Sequence, residues 1–391
     1  DLNLSAAFGI GNIINATVGL GLKVPDFNLN DLKLNTRIRL DNNSGTFNIY
    51  QFAVGSKNLN LLLTTNGFVK LKPVPMADSN ISVNLKLDNK KLKAIYPPWQ
   101  IQGLIELSAN MKGSLKTGFA SGKIRIDNFS AYNKTPESLI ALEKLNMNFP
   151  FAYNFKNVGT GKSKIIIDKT HIITNRVFSE KPNFTIKSIR AKHPARKIQY
   201  EYIKDFSAAM SFKENLFQIT NMKAYVIDGS LYGRRILFNL ADLNPKNMEF
   251  MLILDITNVD IGRLDDPDPK SKTRDAEISL SANFSGKGLN FDKEIAARGY
   301  INLYKVGESF ANKLMKGISE EKGKSKLGIV QVAVDNSMIP KGFHFDLDKG
   351  LTNVTVTLQK ELLGLVIGVQ EKIKFERLKT KELLDNFTGK K

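Results

Sequence analysis

The chain of 391 residues has no cysteine, three histidines and one tryptophan. Without cysteine there are no disulfides, no thiol nucleophile and no thiolate metal site; both a reducing and an oxidising compartment remain compatible. His171, His193 and His344 are too far apart to form a local metal motif, and Asp346, two positions from His344, reads as the wet or core face of a strand. A zinc site of the usual kinds is therefore not expected. No run reaches the ~18 to 20 apolar residues that span a bilayer as a helix. The longest candidates are "LLGLVIGV" (Leu362–Val369) and the Gly-rich "FGIGNIINATVGLGL" (Phe8–Leu22). Low-complexity sequence is also absent, and 42% hydrophobic with 24% charged residues suits a folded protein.

The motifs of catalysis are missing too. "GTGKSK" (Gly159–Lys164) ends like a phosphate-binding loop, but the glycine required five positions before Gly161 is Lys156. The segment "KIIID" that follows reads as a strand rather than the required helix, so a hairpin turn is the better reading. There is no Gly-x-Ser-x-Gly elbow. Asp88 and Asp255 are assigned to strand ends, where turn chemistry accounts for them. The expectation is a protein that is not an enzyme and uses no cofactor.

What the chain does have is charge of one sign and alternation. Lys+Arg number 57 against 38 Asp+Glu, a net +19, which attracts anionic partners. The basic residues are interspersed in segments such as "LNTRIRL" and "SGKIRIDNF", the pattern of a solvated strand face rather than a polyanion arm. No strand alternates aromatics with basics as a stacking platform, so nucleic acid is not the expected partner. Period-two alternation puts Leu32, Leu34, Ile38 and Leu40 on one side, then Ile81, Val83, Leu85 and Leu87, then Ile124 and Ile126, then Val354, Val356 and Leu358. These are strands with one buried and one wet face, on the order of twenty of them, separated by turn words such as "LDNNSGT", "TTNGF", "IDGS", "FSGKG" and "LDKG". Trp99, after Pro97 and Pro98, is assigned to a turn. Three helices are expected: Thr135–Leu145, with Thr135 as cap and Pro136 at the first position; Gly307–Lys322, with Phe310, Leu314 and Ile318 on one stripe; and "KTKELLDNF" near the end, with Thr380 as cap and Leu383, Leu384 and Phe387 as its apolar face. Lys187–Lys197, with Pro194, reads as a linker, and Asp265–Asp275 as an exposed loop.

One phrase occurs twice: "IELSANMKGSL" (Ile105–Leu115) and "ISLSANFSGKGL" (Ile278–Leu289). Both follow a strand ending in Leu-Asp, a polar segment and a proline pair (Pro97 and Pro98; Pro267 and Pro269). Downstream, "FASGKIRIDNFSA" answers "IAARGYINLYKV", with Gly122 opposite Gly299. The echo indicates a duplicated β-module: residues 1–150 as the first, 151–198 as connecting strands and linker, and 199–391 as the second with its C-terminal helix.

These residues, together with "FQITNMKAYVIDGSLYG", "LILDITNVDIGRL" and the ending "KIKFERLKTKELL", resemble the AsmA-like superfamily (the AsmA, TamB and YdbH types of bacterial envelope protein). The resemblance implies a mainly β fold: a long, twisted, antiparallel-rich sheet curled into an open hydrophobic groove, built from two repeated modules with a few short helices. Twenty strands ~4.8 Å apart in one sheet would extend on the order of 95 Å. The implied function is a non-enzymatic conduit that binds phospholipid acyl chains and carries them between the inner and outer membranes. Its partners would be phospholipids and the membranes or membrane-anchored proteins. It would sit in the periplasm, anchored to the inner membrane by a segment outside this chain. The tail-lining candidates are the alternating set Leu85, Leu87, Ile105, Leu107, Ala109, Ile124, Ile126, Ile236, Phe238, Leu252, Leu254, Ile278, Leu280, Ala282, Ile301 and Leu303. The rival reading is a structural or adaptor protein of closed β-sandwiches that meets anionic partners through basic faces, since alternation alone fits both.

Overall fold

The computed structural model describes residues 2–8, 13–24, 27–41, 44–57, 59–71, 75–88, 99–114, 117–134, 139–155, 181–192, 199–213, 215–241, 244, 246–264, 276–288, 296–322, 338–362 and 365–388. Period-two alternation becomes strand nearly throughout: nineteen strands and two α-helices lie among these residues, divided between two units.

Unit 1 comprises the described residues up to 155, with 181–192 and 204–217. It begins with β1 (Leu2–Phe8), β2 (Ile13–Val24), β3 (Phe27–Asp41), β4 (Thr46–Ser56) and β5 (Leu61–Lys70). It continues with β6 (Met76–Leu87), β7 (Trp99–Ser114), β8 (Phe119–Lys134), β9 (Leu139–Asn154), β10 (Phe184–Lys192) and most of β11 (Gln199–Lys213). From β1 to β10 every strand pairs antiparallel with the next. β9 also meets β11 in a parallel bridge at Phe151 and Phe212. Two asparagines clasp this junction. The Asn215 amide donates to the Asn154 carbonyl and accepts from its N–H, both at 2.9 Å, and the Asn183 amide does the same for Met210 at 2.7 Å. Each amide side chain meets both backbone groups of one residue, as a paired strand residue would.

Unit 2 contains most of β12 (Leu216–Val226), then β13 (Gly229–Asn239), β14 (Glu249–Asp260), β15 (Glu277–Lys287) and β16 (Ala296–Val306). Helix α1 (Glu308–Lys322) follows, then β17 (Met338–Asp348), β18 (Leu351–Leu362), β19 (Leu365–Lys379) and helix α2 (Thr380–Thr388). From β13 to β19 the order is again an antiparallel meander. Ile227 and Asp228 take φ of 47° and 64°, and Lys349 and Gly350 take 50° and 87°, the left-handed pairs of tight hairpin turns. Arg263 ties a corner of this unit, with Nε 3.3 Å from carboxylate oxygens of both Asp228 and Asp260. Burial, with the Asp228 carboxylate beside it, pushes the Tyr200 phenol above its ordinary range.

Bulges recur by one device. Asn128, Lys144, Asn258 and Arg377 have φ near 50° inside strands. The N–H of each is accepted by a side chain on the neighbouring strand: Asn146 Oδ1, Ser130 Oγ, Ser279 Oγ and Asn353 Oδ1, at 2.8 to 3.0 Å. The extra residue leaves its donor out of the ladder, and a short polar side chain opposite supplies the acceptor.

Several local expectations need correction. Leu139–Leu145 is strand, not helix, because Leu145, Met147 and Phe149 alternate, the bulge at Lys144 brings Leu142 into the same phase, and β9 is hydrogen-bonded on both sides. Thr135 and Pro136 lie outside the described residues. Lys187–Lys192 is the second half of β10 rather than a linker, with Ser188 buried and Arg190 ion-paired to Glu143 on β9; Pro194 lies outside the described residues. "TTNGF" is interior to β5, since Gly67 runs straight on at φ 134°, where an added Cβ would lie 2.0 Å from the Asp78 carbonyl. Trp99 opens β7 instead of ending a turn. Asp255 lies within β14 and pairs with Arg234 at 3.4 Å. The two later helices form where their apolar stripes predict them. Gly159–Lys164, Asp265–Asp275, His171 and His193 lie outside the described residues.

Candidate functional site: the apolar faces

In unit 1 the register lines apolar side chains into rows that cross many strands. One row runs Leu34, Val54, Leu63, Val83, Leu107, Ile124, Phe149 through seven consecutive strands, β3 to β9. The backbone register carries it on to Val18 and Leu4. A second row runs Leu61, Leu85, Ile105, Ile126, Met147. Seven strands at ~4.8 Å spacing make the first row about 29 Å long. Every one of its seven side chains is half-buried, as are Leu85, Leu87, Ile105, Ala109 and Ile126. Among the described residues of this unit, the apolar side chains that are fully buried are alanines: Ala53, Ala141, Ala208 and Ala209. No described α-helix lies in unit 1.

The opposite face of the same strands is polar. Lys33, Asn35, Arg37 and Arg39 alternate with the apolar set on β3, all exposed. Glu106 accepts from Asn84 at 3.2 Å and from Arg125 at 3.3 Å, and Arg125 reaches Asp127 at 2.6 Å. Two uncharged rows cross this face: Thr64, Ser82, Ser108, and next to it Asn66, Asn80, Asn110, Ser121.

In unit 2 the candidates fall on one face as well. Gly233, Leu254, Ala282, Ile301, Phe345, Val354 and Phe375 form one row; Ile256, Leu280, Leu303, Phe343 and Val356 form the next. Ile236, Phe238, Leu252, Leu254, Leu280 and Ile301 are half-buried, whereas Ile278, Ala282 and Leu303 are buried. Toward β16–β19 the face closes. Ala311, Leu314, Met315 and Ile318 of α1 and Leu383 of α2 share one core with Leu303, Phe343, Phe345, Val354, Val356, Leu358, Phe375 and Leu378. Phe310 of the predicted stripe packs against it. The Thr380 hydroxyl meets that of Thr352 at 2.8 Å, anchoring α2 to β18.

The two echo words occupy comparable places, on β7 and β15, each followed by an antiparallel partner strand. Their glycines differ in register: Gly122 faces Ala109, while Gly299 faces Phe284 and Ala282 faces Ile301. His344 is partly exposed on β17, with Nε2 3.8 Å from Asp346 and its ring stacked on Tyr300 at 5.9 Å. Among the described residues no helix is long and apolar enough to cross a membrane. No family model, curated protein or solved structure matches the chain.

Proposed function

We propose that the apolar face of β3–β9 binds phospholipid acyl chains, and that the protein is a non-enzymatic conduit carrying them between the inner and outer membranes of a bacterial envelope. The observation that carries the reading is the pair of in-register apolar rows whose side chains stay half-buried across the strands. An ordinary core would seal such rows, because leaving large apolar side chains partly wet forgoes about 25 cal/mol per Å² of burial. Contiguous exposed apolar surface marks a binding site for something apolar. A row of methyl and methylene groups with no polar trap suits a sliding hydrocarbon tail, while the headgroup stays in water. The net charge of +19 favours anionic headgroups. The AsmA-like resemblance points the same way, and the proposal includes its finer architecture: a sheet curled into a groove from two related modules, working in the periplasm. The tail-lining set on this face is Leu85, Leu87, Ile105, Leu107, Ala109, Ile124 and Ile126.

Lipid extraction and native mass spectrometry of the purified protein test this. Co-purified phospholipid is expected, and Leu107→Asp is expected to abolish it while the β-sheet circular dichroism persists. A lipid-free wild-type protein that also takes up no phospholipid from vesicles would sink the proposal.

A further inference from the structure

The polar face of unit 1 carries a feature that the lipid reading does not use. A depression of ≈ 500 Å³ crosses β4–β8 there, within the size range of small-molecule sites. Its lining takes in the two uncharged rows, with Tyr50 and Gln51 at one end and, between the rows, Phe52, Ile81 and Ala109 of the apolar phase. None of its lining residues is charged, although 24% of the chain is, and the same face carries Lys33, Arg37, Arg39, Glu106 and Arg125 around it.

We infer that this depression is a binding site for a neutral carbohydrate chain. Its amides are set in advance: Asn80 Nδ2 donates to Asn66 Oδ1 at 3.3 Å, and Asn110 Nδ2 donates to Asn80 Oδ1 at 2.8 Å. A primary amide has two N–H donors and two acceptor lone pairs, so each keeps hydrogen-bonding capacity for a ligand. With Thr64 and Ser108 opposite, donors and acceptors alternate along the trough, which is what hydroxyls that both donate and accept require. Tyr50 adds an aromatic platform. Its side chain is 53% exposed, and the Arg37 guanidinium lies 5.7 Å from its ring centroid, holding the ring in place. A sugar ring presents hydroxyls at its edge and C–H groups on its face, matching the amides and the tyrosine respectively. Four interstrand steps of ~4.8 Å give about 19 Å of trough, enough for several linked sugars. No charged side chain lines the trough itself; Arg37 against Tyr50 and Lys123 opposite Ser108 stand at its margin, so the salt dependence of binding separates a neutral ligand from a phosphate chain.

Calorimetric titration of the full chain with maltohexaose, cellohexaose and chitohexaose tests the inference. At least one hexasaccharide is expected to bind with Kd of about 1 mM or tighter, equally at about 50 and about 500 mM salt because no charge is engaged. Tyr50→Ala is expected to weaken it at least tenfold, Ser108→Tyr, which fills the trough, to abolish it, and Lys33→Ala to leave it unchanged. Both Tyr50→Ala and Ser108→Tyr are checked for an unaltered unfolding midpoint, and either one that folds is decisive. Failure of all three probes to bind tighter than about 10 mM, binding that decays with salt, or full affinity in the folded variants would overturn it. Lipid loading is read through Leu107, which does not line the depression, so either result can fail without the other.

Discussion

The two units solve the same problem, an apolar sheet face, in opposite ways. In unit 2 the face over β16–β19 is closed by two helices, and Val354, Val356, Leu358 and Leu378 are 0% exposed. In unit 1 rows of leucine, isoleucine, valine and phenylalanine stay half-wet, and the fully buried apolar side chains among its described residues are alanines. Unit 2 is thus held by a packed core. Unit 1 is held by ladder hydrogen bonds, by cross-strand pairs contributing roughly 0.2–1 kcal/mol each, and by buried polar clasps. Apolar surface left accessible across unit 1 and sealed over β16–β19 of unit 2 is what separates a surface available for binding from one used for stability.

Core truncation should expose this difference most strongly. Phe343→Ala in unit 2 removes a ring 1% exposed from the helix-covered cluster. It is expected to cost about 3–5 kcal/mol, read as a lower denaturant midpoint for the transition that includes unit 2. Asn215→Ala attacks unit 1 where it is tied rather than packed. It strips partners from the Asn154 N–H and carbonyl, and about 2 kcal/mol is expected. Amide exchange at Asn154 should accelerate. A smaller effect is expected for Leu107→Ala, which removes a half-buried side chain from a wet face. About 1 kcal/mol follows from the partial burial, together with weaker lipid loading. A loss of 3 kcal/mol or more (about the cost of opening a packed core) would show that Leu107 is sealed, and would erase the contrast between the units.

How far the sequence foretold this depends on the range of the interaction. Alternation is local, so Leu34, Val83, Leu107 and Ile124 were legible as one face each, and the register then joined them. Helix α1 was legible because Leu314 and Ile318 fall at helical spacing and are buried. Leu139–Leu145 was misread because seven residues with several leucines fit either period, and only pairing with β8 and β10 decides between them. The bulges at Asn128, Lys144, Asn258 and Arg377 were illegible, since each acceptor lies 14 to 24 residues away on another strand. The trough on the polar face was illegible for the same reason: Asn66, Asn80 and Asn110 become one ladder only after three strands align.

The smallest expected effect concerns pH. Unit 2 holds Tyr200 with its phenol raised above the ordinary 10.0, mainly by burial and then by the Asp228 carboxylate beside it. Raising the folded-state value means the native protein keeps a proton that the unfolded chain releases. Below about pH 10 both states are protonated and nothing is lost; above it the unfolded state is favoured by ionisation, so stability falls as pH rises. Unit 1 has a milder counterpart in Tyr153, raised by burial alone. Thermal unfolding followed from pH 8 to about pH 11 should therefore show a decline in midpoint above the ordinary phenol range. Tyr200→Phe should flatten that decline more than Tyr153→Phe does, because Tyr200 also faces a negative charge. If the two substitutions flatten it equally, the Asp228 carboxylate contributes nothing, and the difference between the units lies in apolar burial alone.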